Sequence, residues 1–184
     1  MTATPTPRRN LKILAAIAAG ALALTAAGFG MGVRGLDVLL LAVYAFAGVA
    51  FLAAAVLDMR TGKIGNFLNL AIVLSCLPLV LLGERTFVGY GTGLVAGFLW
   101  VVVAVLVQLG GGGWIKLAGA LIVWAVPYDL KIAIYLLPAA IVLNFVVFRF
   151  ARPDLPKIPL GPAIGTVGVI MILYRILPIL AAHT

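Results

Sequence analysis

Long apolar runs without a single charged residue constrain this chain more than any other feature. The clearest, Val38 to Leu57, stops at Asp58 and holds about 20 residues, enough for a helix to cross a hydrocarbon core of roughly 30 Å at about 1.5 Å per residue. Other runs of similar character follow it, so the sequence predicts an all-α fold: a polytopic transmembrane helix bundle of about seven spans. Composition agrees, because 65% of the 184 residues are hydrophobic and 10% are charged, against roughly a quarter charged in a soluble domain. No polar stretch is long enough to fold separately, and 1–184 reads as a single integral membrane domain whose surroundings are the lipid bilayer. A net charge of +8 would suit nucleic acid if it were gathered on one face, but the basic residues are scattered between apolar runs. They are topology signals, and no nucleic-acid partner is expected.

Taken in order, 1–10 is a polar tail with the pair Arg8-Arg9. Residues 11–32 form either an extra first span or a signal sequence, since a basic start and small residues near Thr25 suit both; we read it as a retained helix. The core, 38–184, then alternates spans with short charged turns. Arg8, Arg9, Lys12, Arg60, Lys63, Lys116, Arg149, Arg152 and Lys157 fall on one side, and Arg34, Arg85, Lys131 and Arg175 on the other. Basic excess marks the cytoplasmic side, so the N-terminus is expected to be cytoplasmic, with Asp58 on the same face. Gly89, Gly93 and Gly97 recur every fourth residue, which strips one helix face for close packing. Gly110 to Gly113 reads as a flexible loop, because each glycine costs a helix about 1 kcal/mol against alanine.

Few side chains can do proton chemistry. Cys76 is the only cysteine and His183 the only histidine, which leaves no Cys-based zinc set, no His cluster and no Ser-His-Asp triad; no metal or other cofactor is expected. The five acids are Asp37, Asp58, Glu84, Asp129 and Asp154. By the topology above only Asp58 and Asp154 share the cytoplasmic side, while Asp129 lies across the membrane from the glycine run.

Three stretches fall on that side in a telling order. They are Asp58-x-Arg60-x-x-x-Ile64-x-Asn66, then Gly111-x-Gly113-Trp114-x-Lys116-Leu117, then Ile158-Pro159-Leu160-Gly161-Pro162. Together they resemble the signatures of the type IV prepilin peptidases, membrane aspartic endopeptidases of the bacterial inner membrane that remove leader peptides from pilin-like precursors on the cytoplasmic face. The chain resembles the small form that lacks a cysteine-bearing insert. Gly65 stands where the family usually has proline, Leu160 where it has an aromatic residue, and Trp114 where it has its second catalytic aspartate.

The resemblance implies Asp58 as a catalytic acid, with Arg60, Asn66, Gly111, Gly113, Lys116, Pro159, Gly161 and Pro162 framing the site or the substrate. Paired-aspartate hydrolysis needs one carboxylate to activate water and one carboxylic acid to protonate the carbonyl oxygen. Indole is a donor without an acceptor, so Trp114 can take neither role, and Asp154 is the one candidate substitute. The expected function is accordingly that of a prepilin-peptidase-like endopeptidase, impaired or inactive as written. The alternative is a non-catalytic subunit that binds pilin-like precursors or the assembly proteins of a pilus or secretion system.

Overall fold

The structure, a computed structural model, describes residues 7–109, 112–126, 129–151 and 158–183, with side chains from Leu11 onward. Every regular element among these residues is a helix: α1 (Pro7–Gly30), α2 (Leu36–Thr61), α3 (Asn66–Leu74), α4 (Leu77–Leu81), α5 (Phe87–Leu106), α6 (Gly112–Ala125), α7 (Leu130–Ala151) and α8 (Gly161–Ala181). By length and composition α1, α2, α5, α7 and α8 can cross a membrane, and Asn66–Leu81 and Gly112–Ala125 are shorter apolar stretches. The helical membrane bundle is therefore as expected, with five helices among the described residues that are each long and apolar enough to cross and two shorter apolar stretches beside them. At 14 residues, α6 is about 21 Å long, short of a hydrocarbon core of roughly 30 Å.

The core forms where small residues let helices touch. Ala47, Ala50, Phe51 and Ala54 of α2 are fully buried, and α2 packs closely along α8. A Cβ on Gly165 would lie 2.8 Å from both the Ala55 Cβ and the Phe51 carbonyl oxygen, and one on Gly168 would meet the Phe51 ring at 2.5 Å. Between lipid-embedded helices there is little hydrophobic drive to associate, so this close backbone approach supplies the packing attraction. The glycine stripe of α5 acts the same way on α6: a Cβ on Gly97 would sit 2.7 Å from the Gly119 carbonyl oxygen. Outward-facing Phe98, Val103, Leu143 and Phe150 are exposed, as lipid contact requires.

The apolar run from Phe67 to Gly83, which by length alone would be expected to form a single span, is instead two helices. Pro78 lacks an N–H and its ring clashes with the carbonyl four residues back, so the ladder breaks at Ser75 and Cys76. The freed polar groups are not left bare, since hydrocarbon could not bond them. Ile72 C=O accepts from Ser75 Oγ at 2.6 Å and from Trp124 Nε1 at 2.9 Å, and Val73 C=O accepts from Tyr90 OH at 3.4 Å. A second correction concerns the glycine run, of which Gly112 and Gly113 open α6. In a first turn the N–H groups have no intrahelical partner anyway, so glycine is tolerated there, and packing of Gly113 against Ile64 rewards it.

A charged cluster lies at the end of the bundle away from Asp58. Arg175 of α8 grips Asp129 with Nη2 at 2.8 Å and Nε at 3.1 Å from Oδ1. Arg85 donates to the Trp124 and Val123 carbonyls at 2.6 and 3.3 Å, closing the C-terminal end of α6, and its Nη2 is 3.9 Å from Asp129 Oδ2. Arg85 and Asp129, expected in solvated turns, are 5% and 3% exposed. Buried charges persist only when paired and bonded, and each of these is.

The expected orientation can be checked by labelling. Cysteine at exposed Thr61 should be protected from an impermeant thiol reagent in intact cells and cysteine at exposed Glu84 should react, with native Cys76 silent because it is buried; the opposite pattern would invert the topology.

Candidate functional site

α2 ends in a way that fixes the carboxylate of Asp58. Gly62 closes the helix in the left-handed region at φ 62°, and its N–H bonds the Asp58 carbonyl oxygen at 2.8 Å, the conformation glycine adopts without penalty. Thr61 Oγ1 donates to the Leu57 carbonyl at 2.7 Å and accepts from the Lys63 N–H at 3.3 Å, which shapes the following turn. Asp58, one turn back, is turned inward and is 6% exposed.

Its partner is the start of another helix. The Gly161 N–H donates to Asp58 Oδ2 at 2.7 Å. Leu160, the residue before α8, offers no capping side chain, so a carboxylate from α2 takes the place of the usual local cap. The first N–H groups of a helix lack intrahelical partners and carry partial positive charge, which a carboxylate satisfies on both counts. Pro162 has no N–H to leave unbonded. Gly161 is required sterically, because a Cβ there would stand 2.5 Å from the Asp58 Cβ and 2.6 Å from Oδ2. Asn144 of α7 donates through Nδ2 to the Pro159 carbonyl at 2.7 Å and steadies the entry to α8.

The start of α6 joins the same end. A Cβ on Gly113 would lie 3.1 Å from the Ile64 amide nitrogen, and Lys116 Nζ donates to Asn66 Oδ1 at 2.7 Å. Asp58, Asn66, Gly113, Lys116, Pro159 and Gly161 are thus drawn together by contacts among α2, α3, α6 and α8. Trp114 is half-buried and packs on the core beside them. Arg60 is exposed in the last turn of α2, where a cation suits the helix C-terminus. Gly111 and Asp154 lie outside the described residues.

Gly65 precedes α3 with φ −68° and ψ 141°, the angles of a proline, and a Cβ added to it would find open space. The site also contains a residue that lies outside the three stretches read from the sequence. Asn69, one turn beyond Asn66, is buried in α3; the signal was a second carboxamide in an otherwise apolar helix, since polar groups at membrane depth mark function by default.

Chemically, Asp58 is the one acid among the described residues at this end; Asp37, Glu84 and Asp129 stand at the other. A lone carboxylate can accept hydrogen bonds or exchange one proton, but it cannot be general acid and general base in the same step. The class of protein that the fold and site define is a helical membrane bundle with the Asp58 carboxylate at the junction of three helix ends. Comparison with known protein families, with curated proteins and with solved structures finds no match to this chain.

Two substitutions test the local geometry. Gly65→Pro should raise thermal stability in detergent by about 0.4–1 kcal/mol, by restricting the unfolded chain. Gly161→Ala should lower it by about 1–3 kcal/mol through overpacking on Asp58; the opposite ranking would mean that α8 does not begin against Asp58.

Proposed function

We propose that this chain is a prepilin-peptidase-like membrane protein that holds the leader segments of pilin-like precursors at its Asp58 end, on the cytoplasmic face, and does not cut them as written. The observation that carries this reading is the meeting of three stretches, around Asp58, Gly113 to Lys116 and Gly161, that resemble the three signatures of that family. Their sequence separation is large, and nothing in the apolar pattern alone requires them to meet.

The loss of cleavage follows from residue chemistry. Trp114 occupies the position of the second acid, and the Asp58 carboxylate is already engaged with the first N–H of α8. Removing one acid–base partner lowers such reactions by about 10²–10⁴-fold. What remains suits holding a peptide: bare main chain at Gly112, a cation at Lys116 and a carboxylate at Asp58.

A leader-cleavage assay in membranes tests both halves. The protein as written should leave a co-expressed pilin-like precursor uncut, or cut it at least about 100-fold more slowly than a two-aspartate peptidase. Trp114→Asp should restore cleavage, and Asp58→Asn should abolish the restored activity. Cleavage at a full rate by the unaltered chain, unaffected by Asp58→Asn, would overturn the reading.

A further inference from the structure

Asn69 is 6% exposed, yet neither Oδ1 nor Nδ2 of its carboxamide has a hydrogen-bond partner among the described residues. Folded proteins leave few such groups, and each calls for something that bonds it. Its depth is informative. Asp58 lies four residues before Gly62, which ends α2, and Asn69 four residues after Gly65, which opens α3. At about 1.5 Å per residue each stands about 6 Å along its own helix from the same short connection. The face of α3 that carries Asn69 packs on α6 and α2. Asn66, one turn nearer the connection, has committed its oxygen to Lys116; Asn69 has committed nothing.

A carboxamide presents an acceptor and a donor side by side. The main chain of an extended peptide presents the complementary C=O and N–H along one edge. Access at this end is through bare backbone: a Cβ on Gly65 or Gly112 would meet no atom within 4 Å. α3 is nine residues long and is parted from α4 at Ser75 and Cys76.

We propose that Asn69 is a binding residue for the main-chain amide of an extended peptide that enters at the Asp58 end. The proposal rests on the precursor-holding reading and names the contact by which that site recognises peptide irrespective of side-chain sequence.

Anisotropy with a fluorescein-labelled peptide, covering the leader and first apolar turn of a pilin-like precursor, measures binding to the full chain in lipid nanodiscs. Asn69→Leu should weaken binding about ten-fold or more, as expected for one or two net hydrogen bonds. Its melting temperature should be equal or higher, since leucine of similar size removes a polar group that has no protein partner. N-methylation at one peptide amide should weaken binding to the unaltered chain and have little further effect on Asn69→Leu, the non-additivity of groups in contact. Unchanged affinity in Asn69→Leu, with the unaltered chain binding normally, overturns this inference and leaves the precursor-holding reading standing. A clear fall in melting temperature with no change in affinity also overturns it, and assigns Asn69 to a structural water. No binding by the unaltered chain overturns both readings.

Discussion

The bond from the Gly161 N–H to the Asp58 carboxylate is the interaction on which the arrangement of this bundle depends. α8 begins without a local cap, and a helix start near hydrocarbon cannot leave its first N–H groups to water. Asp58 satisfies one of them at 2.7 Å, and a charged acceptor makes such a bond roughly twice as strong as a neutral one. It also sets the register of α8 on α2. With Gly161 held against Asp58, Gly165 and Gly168 fall one and two turns on, where the absence of a side chain admits Ala55 and Phe51. At the far end Arg175 is held by Asp129. The helix is fixed at both ends by charge-assisted bonds and along its length by backbone contact.

That economy bears on function. A carboxylate used as a cap is desolvated and oriented before any ligand arrives, the preorganisation that a peptide-holding or proton-transferring group requires. It is nevertheless alone at its end among the described residues, and the half-buried Trp114 is a hydrogen-bond donor without an acceptor. In the reading proposed above, the scaffold of a peptidase is kept and the paired chemistry is not. Binding energy that an enzyme would direct to a transition state is then available for holding a precursor.

Much of the fold was legible because hydrocarbon permits so little. Long apolar runs marked α1, α2, α5, α7 and α8, and the four-residue spacing of Gly89, Gly93 and Gly97 marked a face that does pack closely, on α6. Helix breaks were harder to read. Pro78 divided one expected span because a missing N–H acts locally, whereas Gly112 and Gly113 joined a helix because packing on Ile64 outweighed their low propensity. Charges misled in the opposite direction. Arg85 and Asp129 read as turn residues, and only the tertiary meeting of the α4–α5 connection, the start of α7 and α8 shows them buried and paired. At the site, Asp58, Gly161 and Lys116 could be singled out from their stretches, but the cap that Asp58 provides to α8 joins residues about a hundred positions apart and has no local signature. Asn69 was visible as a polar residue in an apolar helix and was missed because it lies outside all three stretches.

The most direct measurement is the dipolar coupling between the Gly161 amide nitrogen and the Asp58 side-chain carboxyl carbon, by magic-angle-spinning NMR of the specifically labelled protein in lipid. A strong coupling, matching an N–H···O contact of 2.7 Å, is the predicted result. No measurable coupling, with α2 and α8 still helical by their backbone shifts, would contradict the account, because Asp58 would then be neither the cap of α8 nor fixed at the junction where the three helix ends meet.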